Sequence, residues 1–204
     1  YLDGIANNAE TGGTDQRKPN VIIITADDLG KTDISLYGGT TVETPRIDSI
    51  GRQGVIFTEA YCTSPICSPS RASLLTGLRP DTIKVWDLRT DFRDTYPQAV
   101  TIPQYFKQNG YTSIGLGKTF HNNDPDSISW SITPENIAGF PFDPDAVYMS
   151  EDNLAIQQSK IEAHQAAGRS TIDQLGHWYV KANATENAEV DDDAYYDGAQ
   201  TTRA

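Results

Sequence analysis

The sequence predicts an α/β fold in which helices flank a mostly parallel central sheet. Two observations support this fold class: three segments have the composition of buried strands, and helix signals separate them. Residues 21–25 form a continuous run of β-branched side chains, which is typical of a strand covered on both faces. The other two candidate strands are residues 55–58 and 112–116.

The candidate helices are bounded by capping residues. Thr44 is a suitable N-cap and Pro45 suits the first helical position, so we expect a helix that ends at Gly54. The same reasoning predicts a second helix that begins near Thr101 and ends before Gly110. Because strands and helices alternate, the sheet should be parallel, and parallel sheets bind ligands at the carboxyl ends of their strands.

Reactive side chains follow the carboxyl end of each candidate strand. They are Asp27 and Asp28, then Cys67 and Arg71, then Lys118 and His121. The spacing therefore predicts that all six face one crevice. Each pair also has a simpler interpretation, since adjacent aspartates often form a turn or a helix cap, and an isolated lysine or histidine is commonly a surface residue.

The segment from Cys67 to Gly77 carries the strongest chemical signal. Ser68 is a good N-cap and Pro69 suits the first helical position, so a helix should begin directly after Cys67 and end at Gly77. A helix N-terminus favours anions, and the guanidinium of Arg71, one turn later, matches a pair of sulfate or phosphate oxygens. Without further context, the cysteine would equally suit a buried structural position.

The pattern Cys-x-Pro-x-Arg followed by Leu-Thr-Gly resembles the complete signature of the type I sulfatases, beginning here at Cys67. In that family the cysteine is oxidised to formylglycine. Further likeness to the iduronate-2-sulfatase branch lies in residues 20–29, 101–106, 109–111 and 117–121. The resemblance implies an alkaline-phosphatase-like fold, and the two residues between lysine and histidine point toward sulfated uronic acids.

The resemblance also implies a calcium ion held by Asp27, Asp28 and residue 67. Two adjacent carboxylates repel one another, and a divalent cation relieves that repulsion. A disulfide between Cys62 and Cys67 is geometrically possible, but it would block the signature nucleophile. The acidic residues 191–193 are expected to be a solvated loop, with calcium binding as the alternative.

Family roles carry over to four catalytic positions. Cys67, as the formylglycine hydrate, would supply one hydroxyl for attack on sulfur and a second whose deprotonation expels sulfate. Arg71 would hold the formylglycine and offset charge near the metal. Lys118 would bind the sulfate, and His121 would assist turnover of the covalent sulfate ester.

Two arginines after the signature helix are candidate substrate-binding residues. If the substrate is a uronate, Arg89 or Arg93 would grip its carboxylate in a bidentate pair. A surface ion-pair cluster with neighbouring aspartates explains the same segment equally well.

The predicted function is hydrolysis of sulfate esters on a sulfated glycan, with a 2-O-sulfated uronic acid as the expected unit. The alternatives are a phosphonate or phosphodiester hydrolase of the same superfamily and a non-catalytic glycan-binding protein. A formal charge of −12 argues against a nucleic-acid surface, and no apolar run is long enough to span a bilayer. We expect a secreted or periplasmic location.

The organisation of the chain follows from the same resemblance. Residues 1–19 are polar and are expected to form a flexible leader, and residues 20–204 resemble the N-terminal part of a sulfatase catalytic domain. The remainder of that domain is expected in the same chain or in a second one, as a partner of this part. Within the later portion, residues 150–167 should form a helix.

Overall fold

A computed structural model describes residues 18–121, 125–135, 148–171 and 180–204. The chain divides into two units, Tyr1–Glu59 and Ala60–Ala204. Residues 1–17 of the expected leader lie outside the described residues, so that expectation stays a prediction.

The first unit is built around one helix, α1 (Pro45–Gln53), preceded by two short 3-10 helices, Lys31–Asp33 and Ser35–Tyr37. Thr44 occupies the N-cap position and Gly54 the C-cap position, so the first predicted helix is confirmed at both ends.

The carboxylate of Asp48 joins these elements. It accepts hydrogen bonds from Ser35 Oγ at 2.8 Å, Thr44 Oγ1 at 2.8 Å and the backbone N–H of Leu36 at 3.1 Å, and it lies 3.8 Å from Arg52 Nη1. Burial alone would raise the pKa of Asp48, but these hydrogen bonds outweigh it and the pKa is lowered. One buried carboxylate therefore fixes α1 against the 3-10 helix before it.

Two of the three predicted strands are wrong. Residues 21–25 and 55–58 have no regular secondary structure, and Ile22 and Ile24 are each 81% exposed. A strand forms only where a neighbour supplies the opposite half of its backbone hydrogen bonds. Within the described part of the chain, neither segment has such a neighbour, so β-branched composition alone does not make it a strand.

The second unit contains six helices and two strands among its described residues. In chain order they are α2 (Cys67–Thr76), α3 (Pro80–Ile83), α4 (Phe92–Thr95), α5 (Ile102–Gln108), β1 (Ile114–Leu116), β2 (Ile132–Glu135), α6 (Glu151–Ala166) and α7 (Tyr196–Arg203), with 3-10 helices at Ser127–Ser129 and Asp192–Ala194.

The third predicted strand is confirmed as β1. It pairs in parallel with β2, with Ile114 opposite Ile132 and Leu116 opposite Glu135. This two-stranded ladder is the whole of the sheet found among the described residues, so the mostly parallel central sheet is not confirmed.

The signature helix differs from its prediction at one end. α2 begins at Cys67 itself, with Ile66 and not Ser68 as N-cap, and it ends at Gly77, whose φ of 69° places it in the left-handed region. Pro69 then occupies the third position, where the first turn requires no backbone N–H from it.

The second predicted helix is confirmed as α5. Thr101 caps it, and the Thr101 side chain accepts from the N–H of Gln104 at 3.2 Å while the Gln104 side chain accepts from the Thr101 N–H at 3.4 Å.

The apolar core of the second unit lies beneath α2 and extends to the residues after β1. Phe92 stacks on Phe120 with ring centroids 5.7 Å apart, and Phe120 meets Trp130 edge to face at 6.1 Å. The other buried members are Ala72, Leu75, Ile83, Val85 and Ala99. The core therefore anchors α2 and the residue next to His121 in one packed cluster.

The helix expected over residues 150–167 is confirmed as α6, and Glu186 organises its N-terminal end. The carboxylate of Glu186 accepts from the N–H of Met149 at 2.7 Å, Ser150 Oγ at 2.9 Å, Asn153 Nδ2 at 3.0 Å and Tyr195 Oη at 2.7 Å. Burial raises the pKa of Glu186, but these bonds together lower it from 4.5 to about 2.

Replacing Glu186 by Gln should remove an acid-sensitive part of the stability. Because the folded pKa lies below the unfolded one, the carboxylate contributes fully above about pH 4.5 and loses its contribution as pH falls toward 2. The Glu186→Gln variant should be about 2 kcal/mol less stable than wild type at pH 7. The difference should shrink as pH falls, when unfolding in urea is measured from pH 7 to pH 2.

The exposed Glu189 offers the matched control, since it lies three residues away. Glu189→Gln should follow the wild-type curve. Equal pH dependence of wild type and Glu186→Gln would contradict the structural role of Glu186.

Candidate functional site

Cys67 stands at the first position of α2, partly buried and with a free thiol; Cys62 is also free, and exposed. The first backbone N–H in the α2 ladder is that of Ser70, which donates to the carbonyl of Ile66 at 3.0 Å. The amides of Cys67 and Ser68 therefore lie ahead of the ladder, at the positive end of the helix. An anionic group held beside residue 67 would be stabilised there.

Arg71 ties this helix to the segment that follows β1. Its side chain is buried, and its Nη1 donates to the backbone carbonyl of Lys118 and to that of Thr119, the latter at 3.2 Å. The structure thus joins the helix that begins at Cys67 to the segment of Lys118 and His121 by a direct contact across 47 residues of chain.

A pocket lies between the signature helix and this segment. Its lining residues include three that the sequence analysis singled out by position: Ser68 of the signature, Arg89 and His121. The remaining lining residues are Ala72, Thr90, Asp91, Phe92, Phe120 and Asp126. His121 is half-buried, and its neighbour Phe120 belongs to the aromatic core, which fixes the backbone beside the imidazole.

The turn before Lys118 depends on Gly117. Its φ is 60°, a conformation that favours glycine, and a Cβ atom there would collide with the side chain of Gln200 in α7. Lys118 itself is exposed, so its ammonium is accessible to an anionic ligand. Gly117 therefore lets the chain turn closely past α7 and present the lysine.

Arg89 is presented by a loop that Asp87 holds. Asp87 Oδ1 accepts from the backbone N–H groups of Arg89 and Thr90, each at 2.8 Å, and Oδ2 accepts from Thr90 Oγ1 at 3.1 Å. These hydrogen bonds lower the pKa of Asp87. The side chain of Arg89 remains exposed at the pocket, where it can bind an anion.

Arg93 is an internal residue, which corrects the expectation of a substrate-binding role. Its Nε and Nη2 each donate to Asp126 at 2.8 Å, Nη2 also to Gln104 at 3.1 Å, and Nη1 to the carbonyls of Pro97, at 3.2 Å, and Ala99. All five N–H groups of the guanidinium are thus used within the protein. Arg93 does form an ion pair, but the pair is largely buried and its partner is Asp126, so it is not the surface cluster with neighbouring aspartates that was the alternative.

Asp126 is a pocket residue that the sequence analysis missed. Its buried carboxylate also accepts from Ser129 Oγ, and its backbone has φ of 49°. It lies in a stretch with no strand or helix pattern, so the sequence offers no signal for its pairing with Arg93.

Asp27 and Asp28 belong to the first unit and are both exposed. Asp28 has φ of 56°, a left-handed conformation that aspartate tolerates, and the pair lies on a bend. Two exposed carboxylates on a bend are hard oxygen donors of the kind that calcium prefers. The donor set therefore fits the expected metal, while the shared site with residue 67 stays a prediction.

The family model described as Sulfatase matches residues 19–202 of the chain. The chain belongs to this family. The resemblance read from the signature segment is therefore confirmed.

Individual sulfatases are similar over part of the chain. A sulfatase from Formosa agariphila is 39% identical over 117 residues, which are 54% of this chain and 23% of that protein. Human iduronate 2-sulfatase is 39% identical over 121 residues, 56% of this chain and 22% of that enzyme. An N-acetylgalactosamine-6-O-sulfatase from Bacteroides thetaiotaomicron is 56% identical over 68 residues, 33% of this chain and 13% of that enzyme.

The matched stretch thus spans less than a quarter of each of these relatives. Among the described helices of the chain, none combines the length and apolar character needed to cross a membrane.

Replacing Arg71 by Lys should loosen the segment that carries Lys118. Lysine keeps the charge but lacks the guanidinium fork that reaches the carbonyls of Lys118 and Thr119. Backbone amides 118–121 should then exchange with deuterium about tenfold faster in the variant, because the local opening free energy falls. Arg169→Lys changes an exposed arginine of the same unit and should leave this exchange unchanged. If amides 118–121 exchange at the wild-type rate in Arg71→Lys, Arg71 does not hold this segment in place.

Proposed function

We propose that this protein is a sulfuric ester hydrolase that removes sulfate from a sulfated glycan. The observation that carries the proposal is the contact of Arg71 with the carbonyls of Lys118 and Thr119, since it joins the anion-favouring end of α2 to a segment with an exposed lysine and a half-buried histidine. A cysteine at a helix N-terminus, two cations and an imidazole are a suitable set for transferring an anionic group.

The proposed nucleophile is residue 67 after oxidation of Cys67 to formylglycine. One hydroxyl of its hydrate attacks sulfur while the bond between sulfur and the glycan oxygen breaks, and the glycan leaves as the alcohol. The second hydroxyl then loses its proton, which re-forms the aldehyde and expels sulfate, and water restores the hydrate. The N-terminal amides of α2 and the ammonium of Lys118 stabilise negative charge on the sulfuryl oxygens. Arg71 acts by holding the loop of Lys118 and by adding positive charge near residue 67. His121 moves a proton at the stage when sulfate is released.

Calcium is the proposed metal, with Asp27, Asp28 and residue 67 as its ligands in this chain. When bound, the ion supplies positive charge that offsets the sulfuryl oxygens. The two carboxylates are exposed and adjacent, which supports a role as oxygen ligands.

A 2-O-sulfated uronic acid unit is the proposed target. Arg89 is exposed at the pocket, and its guanidinium suits the uronate carboxylate. The similarity to iduronate 2-sulfatase supports this choice. Because another similar protein is named for N-acetylgalactosamine 6-O-sulfate, that sugar should be assayed beside the uronate as the first comparison substrate.

The site is proposed to be completed by a further part of the catalytic domain, in the same or a second chain. The exposed apolar residues 21–24 and the small share of each relative that this chain covers support that arrangement. A secreted or periplasmic location accords with polysaccharide degradation, so we propose it as well.

Formylglycine should be found at residue 67 and not at Cys62. Peptide mass spectrometry of protein made in a host with the maturation machinery should detect the aldehyde or its hydrate there, because Cys62 lacks the following proline and arginine. Cys67→Ala should abolish sulfate release, and Cys62→Ala should retain it. Active protein with only an unmodified thiol at residue 67 would refute this chemistry.

The same preparation separates the proposed function from its alternatives. Sulfate and phosphate esters of one leaving group should be assayed in parallel, since a helix N-terminus and an arginine bind both anions. A preference for the phosphate ester favours the phosphonate or phosphodiester hydrolase. Binding of the glycan without turnover of either ester favours the non-catalytic protein.

Calcium affinity should depend on the adjacent aspartates. Asp28→Asn removes one charged ligand, so calcium binding in isothermal titration should weaken about tenfold or more. Asp192→Asn is the matched control, because it removes one carboxylate from the acidic run 191–193. Loss of binding in Asp192→Asn with retention in Asp28→Asn would place the metal in that run instead.

A further inference from the structure

A second groove in the Ala60–Ala204 unit plays no part in the chemistry above. It lies between the residues that lead into α2 and the start of α3, and its walls include Thr63, Ser64, Arg79, Asp81 and Trp86. Trp86 is 53% exposed, in contrast to Trp130, which is buried in the core. An exposed indole beside polar side chains is typical of a surface that binds an amphipathic ligand.

The indole of Trp86 is held in place on both sides. Ile83 and Val85 are fully buried, and the N–H of Val85 donates to the carbonyl of Pro80 at 3.2 Å, so the backbone that carries Trp86 is fixed. Trp86 Nε1 donates to Asp81 Oδ1 at 3.2 Å, which fixes the edge of the ring. The exposed indole therefore requires little ordering when a ligand binds.

Two cations lie at or beside the groove, although the chain has a formal charge of −12. Lys84 Nζ lies 5.6 Å from the centroid of the Trp86 ring, and the exposed Arg79 lines the same groove. The one carboxylate among its walls, that of Asp81, accepts the hydrogen bond from the indole. A ligand with an apolar face and negative groups at its edge complements this arrangement.

We propose that this groove is a second sugar subsite, in which Trp86 stacks on a sugar unit of the glycan beyond the disaccharide that carries the sulfate to be removed. The C–H bonds on one face of a pyranose pack against the face of the indole opposite Lys84, and Arg79 pairs with a sulfate or carboxylate on that unit. Ser64 lines the groove and precedes Cys67 by three residues, so chain length alone keeps this wall of the groove within about 11 Å of residue 67. The proposal rests on the proposed function, since it assumes a glycan chain.

The test compares two substrates that share the same 2-O-sulfated terminal uronate, a disaccharide and a tetrasaccharide. Wild type should show the higher kcat/KM for the tetrasaccharide. Trp86→Ala should lower that value about tenfold and leave the disaccharide value unchanged, because only the longer substrate reaches the groove. Trp86→Phe keeps an aromatic face and should recover most of the loss. Equal loss on both substrates, or on neither, overturns the subsite.

A variant outside the groove and a binding measurement complete the design. Tyr105→Ala removes another exposed aromatic side chain and should not alter the ratio between the substrates. Isothermal titration with the tetrasaccharide should also show about tenfold weaker binding to Trp86→Ala. If no sulfate is released from either substrate, the proposed function fails. A Trp86-dependent titration would still support the subsite, and a titration that Trp86→Ala leaves unchanged would reject it.

Discussion

The candidate site depends on one interaction, the donation from Arg71 to the carbonyls of Lys118 and Thr119. It adds directed hydrogen bonds to the apolar packing between α2 and the residues after β1, and a directed hydrogen bond fixes distance more strictly than packing does. A buried guanidinium also needs hydrogen-bond acceptors. The two carbonyls provide acceptors for Arg71, and Arg71 in turn fixes the position of the loop. Arg71, a signature residue, therefore shapes the candidate site.

Carboxylates hold together segments of this chain that have little regular structure. Asp48 gathers the N-terminal end of α1, Asp126 clamps Arg93, and Glu186 collects donors at the start of α6. Each is a local junction of several hydrogen bonds to one charged group, and such bonds are stronger than those between neutral groups. Single carboxylates can thus hold irregular segments in one conformation.

The sequence predicts structure that depends on interactions between residues close in the chain. It does not predict structure that depends on residues distant in the chain. The helices beginning at Pro45 and Ile102 are predicted at both ends because capping residues and proline act within one turn. The segments 21–25 and 55–58 fail because a strand is defined by a neighbour that can come from anywhere in the chain. The pairing of Arg93 with Asp126, 33 residues apart, is equally invisible to local pattern.

Arg89 and Arg93 show the same limit within a single segment. Both follow the signature helix, both have aspartates beside them, and nothing in their local sequence distinguishes a ligand-binding residue from a structural one. The two side chains differ in their hydrogen bonds. The guanidinium of Arg93 donates to acceptors on several sides. Asp87 instead binds the backbone of Arg89, and the Arg89 guanidinium stays exposed at the pocket. Arg93 supports the pocket wall through Asp126, and the side chain of Arg89 stays exposed at the pocket. Acceptors distant in the chain, which local sequence does not reveal, thus decide which of the two arginines is held within the protein.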